Sequence, residues 1–203
     1  MAPNSKNKTH HHGDLRNALI AAGLDILKHK GLAALTLRAC ATSANVSHAA
    51  PAHHFQGLPG LQAAIAARGF QELTDHMRRE LDSAGDDPHL RLSGICEGYL
   101  EFANQNPAMF QLMFSSTFDF QLDSDLLARS AEAYGVLSDT CAPFEIPGTG
   151  KEGGTEMLIW SLVHGFANLK LSDCLGPKDA PATRVAFADF LPRLQLRADR
   201  KDA

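Results

Sequence analysis

Trp and Tyr are scarce in this chain, with one Trp and two Tyr among 203 residues. No apolar run approaches the roughly 20 residues that span a bilayer, so no membrane contact is expected. The N-terminus "MAPNSKNKTHHH" lacks the apolar stretch of a secretory signal, and a cytoplasmic location is the expectation. Cysteine is sparse too. Cys40, Cys96, Cys141 and Cys174 are widely spaced, form no CxxC pair and have no His at a zinc-site spacing, which excludes a disulfide framework and a structural zinc. They read as small buried hydrophobes in a reducing compartment. With 44% hydrophobic residues, a chain of this length buries a large core without such staples, in one or two domains. No Ser/His/Asp order, carboxylate pair or phosphate-cradling glycine loop stands in a catalytic context, so neither an enzyme nor a cofactor is expected.

Positive charge is short overall, the formal balance being −4, but it is unevenly placed. Residues 1–60 carry six Lys/Arg against two acids, and residues 61–203 carry 13 against 21. Seven of the ten His fall within the first 54 residues. A basic, titratable module attached to an acidic body suits polyanion binding at one end.

Helical periodicity dominates from Asp14 onward and nothing alternates with a period of two, which predicts an all-α protein. Leu15, Leu19, Ala22 and Ile26 share one face of a first helix, with Asp14 placed to cap it and Gly31 to end it. Thr36 is placed to cap a short helix through about Ser43, with Leu37 and Cys40 or Ala41 turned inward. "ANV" makes a turn, and Ser47 caps the next helix. A long helix follows from "QGLPGL" to about Ser83, and another opens at Pro88 with Leu92, Ile95, Tyr99, Phe102 and Ala103 on one face. Pro107 starts a short aromatic and methionine-rich turn, "PAMFQLMF". Helices are then expected over about 124–141, 155–172 and 180–196, with "PFEIPGTGKEGG" as a linker.

Two short helices joined by a tight turn and braced by a preceding helix meet the requirements of a helix-turn-helix, although a generic helical hairpin has the same spacing. The order of residues adds what spacing does not. "HHGDLRNALIAAGLDILKHKGLAALTLRACATSANVSHAAPAHHFQGLPGLQAAIAARGF" resembles the N-terminal domain of TetR-family transcriptional regulators. "NPAMFQLMFS" and "WSLVHGFANL", with Trp160, His164 and Gly165, resemble the WHG-type C-terminal domain of one branch of that family. The resemblance covers about residues 10–195. It implies a homodimer with an N-terminal three-helix bundle containing the helix-turn-helix and a C-terminal helical domain for effector binding and dimerisation. The expected division is a flexible basic arm over 1–13, a DNA-binding domain over 14–57 and an effector domain over 58–203, with helix 58–83 linking the two.

Carried over by position, Thr36 fits the family's phosphate-contacting hydroxyl. Ser47 and His48 open the recognition helix where it faces phosphate and base edges, and Ala49, Ala52 and His53 follow on the groove-facing side. Lys6 and Lys8 on the arm, with Arg38, add positive charge. Phe55 of the "HF" pair is expected to pack inward. The chain departs from the family where Ala52 and His53 stand in place of tyrosine or another phosphate-binding side chain, and where Pro59 replaces a lysine. Each lost phosphate contact removes about one released counterion per protomer. Imidazoles, with an ordinary pKa of about 6.5, can restore charge beside phosphate, so DNA binding is expected to depend on pH. Consecutive His10, His11 and His12 hold divalent metal only loosely and have no acid or cysteine nearby to close a site, so a solvated helix entrance is expected and no metal.

In the body, Tyr99, Phe102, Met109, Phe110, Met113, Phe114, Trp160 and His164 are expected to line an effector pocket. Aromatics and methionines at helical spacing also fit an ordinary core, and His164 fits a tie between helices as well as a ligand contact. An apolar or aromatic effector is favoured. The last two helices have more apolar residues than one protomer covers, which places Leu158, Leu162, Phe166, Phe187, Phe190 and Leu194 at a dimer interface. The expected function is a repressor released from a palindromic duplex operator by a small molecule. The alternative is a small-molecule-binding helical protein whose degenerate head no longer reads DNA.

Overall fold

The computed structural model describes residues 8–115, 123–146, 153–176, 180–189, 191 and 194–196, excepting the side chains of 8–14, 182 and 183. Within these residues the fold is all-α, with helices α1 (Lys8–Lys30), α2 (Leu37–Ser43), α3 (Gly57–Ala84), α4 (Pro88–Gln105), α5 (Pro107–Met113), α6 (Ser124–Cys141) and α7 (Gly154–Leu171). Three helix boundaries agree with the expected punctuation: Thr36, Pro88 and Ser124 stand at or beside helix starts, while Pro107, expected to open a turn, opens the helix α5. The first helix differs. It begins at Lys8, so Asp14 lies within it and not at its cap, and Lys8 to His12 are helical.

The C-terminal segment departs most from expectation. No α-helix covers the described part of 180–196; 3-10 turns at Pro181–Arg184 and Phe187–Asp189 lead to β2 (Gln195–Leu196). This strand pairs antiparallel with β1 (Phe144–Glu145), Phe144 opposite Leu196. The Asp189 carboxylate accepts the Ala186 N–H at 2.9 Å, a local side-chain bond that competes with a helical ladder. Pro192 in turn has no N–H to contribute to one. His89 Nε2 donates to the Leu194 carbonyl at 3.1 Å, and the His89 ring meets the fully buried Phe144 edge-on at 5.0 Å. One imidazole thereby holds the short ladder onto the start of α4.

Two compact units result. One comprises the described residues up to Phe70 with those from Asn106 to Ser130; the other comprises 71–105 and those from Ala131 onward. The first unit's core includes Leu19, Ala22, Ile26, Leu35, Cys40, Ala41, Phe55, Leu61 and Ile65. α1 thus buries three of the four residues on its expected apolar face, with Leu15 half-buried at the end. Gly23 lets α3 approach α1, since a Cβ there would stand 2.5 Å from Ile65 Cδ1. In the second unit Gly98 does the same for α3 and α4, a Cβ there meeting the His76 carbonyl oxygen at 2.7 Å. Cys40, Cys96 and Cys141 are buried free thiols as expected, whereas Cys174 is exposed.

Candidate nucleic-acid interface

Thr36 has extended backbone and its Oγ1 accepts the Ala39 N–H at 3.1 Å, satisfying an orphan donor of α2 and leaving the hydroxyl proton to give elsewhere. The other end of α2 closes on Asn45 in the left-handed region at φ 54°. Val46 N–H bonds the Ala41 carbonyl at 3.0 Å and Asn45 N–H the Thr42 carbonyl at 3.1 Å, the paired bonds of a Schellman closure. Asn tolerates this conformation better than other residues with a side chain. The chain therefore turns sharply and presents Ser47 immediately after α2.

The segment from Ser47 onward is not the α-helix expected there. Ser47 does not cap it; the Ser47 carbonyl accepts from Ala50 N–H at 3.0 Å, and Ala50–His53 forms a 3-10 turn preceded by Ala49. The reason lies in Pro51. A helical bond to the Ser47 carbonyl requires an N–H at residue 51, and proline has none, so the tighter three-residue closure takes its place. Pro51 itself is buried, and Phe55 packs inward as expected. The Arg16 guanidinium lies over the Phe55 ring at 5.5 Å.

Thr36, Arg38, Ser47, His48, Ala49, Ala52 and His53 are all exposed. Lys6 lies outside the described residues, and Lys8 begins α1 with its side chain undescribed. A further signal, missed by reasoning from motifs alone, is an absence: no Asp or Glu occurs between Asp25 and Glu72, while Lys28, Lys30, Arg38 and Arg68 do. A stretch this long without carboxylates keeps the potential around the turn favourable to phosphate. Among the described residues no cluster of His, Cys, Asp or Glu is arranged to hold a metal ion, and the side chains of His10 to His12 lie outside them.

The residues expected around an effector fall into both units. Met109, Phe110 and Met113 are buried and Phe114 half-buried at α5, which packs with α1 and the 3-10 turn Leu32–Ala34 in the first unit. Gly69 is the seat for this helix: a Cβ there would lie 2.5 Å from Met113 Sδ and 3.0 Å from Met109 Sδ. The Phe114 ring contacts Phe70 at 5.7 Å and Phe110 at 5.0 Å. In the second unit the buried Phe102 meets His76 edge-on at 5.9 Å. Tyr99 and His164 join α4 to α7 through a 2.8 Å bond between the phenol oxygen and Nδ1. Burial holds the Tyr99 phenol well above its ordinary range, offset in part by a side-chain hydrogen bond from Trp160, whose indole N–H can only donate. Tyr99 therefore keeps its proton and gives it to His164, whose own pKa burial lowers. Trp160 also faces Tyr134 at 6.1 Å.

The expected dimer residues divide. Leu158 and Leu162 are half-buried on α7, near Met157 and Leu169, which are 62% and 46% exposed. Phe166, Phe187 and Leu194 are instead covered by their own chain, the first two packing at 5.4 Å. Phe166 does so from α7, and Phe187 and Leu194 from a described segment that is not the expected α-helix; all three complete the core. Phe190 lies outside the described residues.

Residues 92–191 match the family described as the tetracyclin repressor-like C-terminal domain. The chain is similar to an uncharacterized HTH-type transcriptional regulator, YobS, from Bacillus subtilis (strain 168), 26% identical over 164 residues that span 77% of this chain and 79% of the relative. A solved structure of a protein of unknown function from Rhodococcus sp. RHA1 is 26% identical with a TM-score of 0.69, covering 87% of this chain and 91% of that one. The TetR-family transcriptional regulator PfmR from Thermus thermophilus shares the fold at 17% identity and a TM-score of 0.56, over 77% and 84% of the two chains.

Proposed function

Because this chain belongs to the TetR family of transcriptional regulators, we propose that it is a ligand-responsive homodimeric repressor, released from a roughly palindromic operator by a small apolar or aromatic molecule. The family is one of regulators and not of enzymes. DNA binding is carried by one observation: the Thr36-capped helix and its Asn45 turn expose Thr36, Arg38, Ser47, His48, Ala49, Ala52 and His53 together, within a stretch free of carboxylates. Lys6 and Lys8 add positive charge to this end of the sequence. Ala52 and Pro59 supply no phosphate contact, which makes affinity modest and the salt dependence shallow.

Tyr99, His164 and Trp160, with Phe102, support an effector region in the helical body, because a partly buried polar pair among aromatic rings gives an apolar ligand orientation as well as surface. α3 contributes to both units as a continuous helix, and a ligand that favours one placement of it changes the population of heads spaced for the operator. Leu158 and Leu162, with the exposed Met157 and Leu169, favour pairing of two copies through α7.

Selection from random duplexes with the purified protein tests the reading. An enriched inverted repeat is expected, with its occupancy reduced when a library of apolar compounds is added. Recovery of no palindrome, together with compound binding by thermal shift, would instead favour a small-molecule-binding protein with a degenerate head.

A further inference from the structure

Leu194 is held by contacts of the kind that hold a ligand. It is 8% exposed, and its carbonyl oxygen receives a hydrogen bond from His89 Nε2 at 3.1 Å. A carbonyl can only accept, so the imidazole is the donor here. The same ring stands edge-on to the fully buried Phe144, and Phe144 and Glu145 pair with Leu196 and Gln195. Leu194 thus presents a buried branched alkyl group and one oxygen on a single aimed donor, the two elements from which apolar small-molecule sites are built.

The donor is positioned by bonds that do not involve residues 194–196. Asp87 Oδ1 accepts the His89 N–H at 2.8 Å and the Leu90 N–H at 3.0 Å, and Arg91 Nη1 donates to the Gly85 carbonyl at 3.1 Å. These close the first turn of α4 around His89. The occupant is held less firmly. Its ladder is two residues long, and Leu196 on it and Leu90 beside His89 are 48% and 58% exposed. So short a ladder opens locally at little cost.

We propose that His89 and Phe144 form a binding site for small molecules that carry a branched alkyl chain and a carbonyl oxygen, and that Leu194 occupies this site in their absence. The site is separate from the Tyr99 and His164 pair, and it stands whether or not the chain reads DNA. The oxygen of the ligand takes the His89 N–H, its alkyl chain takes the place of the Leu194 side chain, and the ladder opens. Since ligand and Leu194 compete, weakening the occupant strengthens the ligand.

Isoamyl methyl ketone, which has the side chain and carbonyl of leucine without the peptide, is the probe. Titration of the full chain, followed by NMR, should show saturable shifts at His89 and Phe144 and faster amide exchange over 144–145 and 195–196. Leu194→Ala should bind the ketone about tenfold more tightly, and His89→Phe, which keeps a ring but loses the donor, about tenfold more weakly. Should His89→Phe not fold, wild type and Leu194→Ala decide the matter. No binding to wild type, equal affinity in Leu194→Ala, or undiminished affinity in a folded His89→Phe overturns the inference. So does binding with ladder exchange unchanged, which would be the filling of a cavity elsewhere. Binding of the acetylated and amidated tripeptide of residues 194–196 with the ketone silent would assign the seat to peptide strands, and overturns it as well.

Discussion

A hydroxyl or an imidazole decides a good deal in this protein. Burial lowers the His164 pKa because the imidazolium would lose hydration there. The unfolded chain then takes up a proton at higher pH than the folded chain. This contribution to stability is full above about pH 6.5 and declines as pH falls below that value. His164→Gln, whose carbonyl oxygen can still accept from Tyr99, is expected to flatten the fall in Tm between about pH 7 and about pH 5. Parallel curves for variant and wild type would place the acid-labile group elsewhere. Thr36→Ala removes the α2 cap and should cost about 1 kcal/mol, lowering Tm by about 2–4 °C, with Thr36→Ser close to wild type. Thr36 is legible in the sequence because capping is local chemistry: one oxygen, three residues from the N–H that it satisfies. The Tyr99 and His164 contact is not, since it joins two helices far apart in sequence.

Elements differ in how much room they leave one another. Gly98→Ala would place a Cβ 2.7 Å from the His76 carbonyl oxygen and 2.9 Å from Met77 Cα. Backbone cannot yield as a side chain does, and a loss of about 1–3 kcal/mol in urea unfolding is expected. Gly135→Ala meets nothing within 4 Å and should instead gain about 0.5–1 kcal/mol from helix propensity. Similar losses for both variants would contradict this packing. Pro51→Ala restores the N–H absent opposite the Ser47 carbonyl, and Cα chemical shifts over residues 47–54 should move toward α-helix. Unchanged shifts would assign the 3-10 geometry to tertiary packing. The proline is visible in the sequence, yet its effect exceeds what a first-turn position suggests. In so short a segment the first turn is most of the helix, and nothing further along compensates.

For the whole molecule, exposed apolar surface on α7 is the feature with the widest consequence. Met157→Glu combined with Leu169→Glu should give a monomer by sedimentation velocity with unchanged helix content, while a persistent dimer would move the interface off α7. Periodicity and punctuation by themselves determined the helical class and α1–α4, α6 and α7 to within a few residues except at the start of α1, because these depend on interactions no more than a turn or so apart in sequence. They marked α5 only as a turn, and placed α-helices after Ser47 and over 180–196 that did not form among the described residues. Tertiary structure alone decided the rest. It packed Met109 and Met113 on Gly69 in the first unit, paired Tyr99 with His164 in the second, and turned Phe187 and Leu194 into core. The reason is that an apolar side chain records only that it will be buried. Whether its own chain, a ligand or a second copy covers it depends on contacts between residues far apart in sequence, which no local pattern encodes.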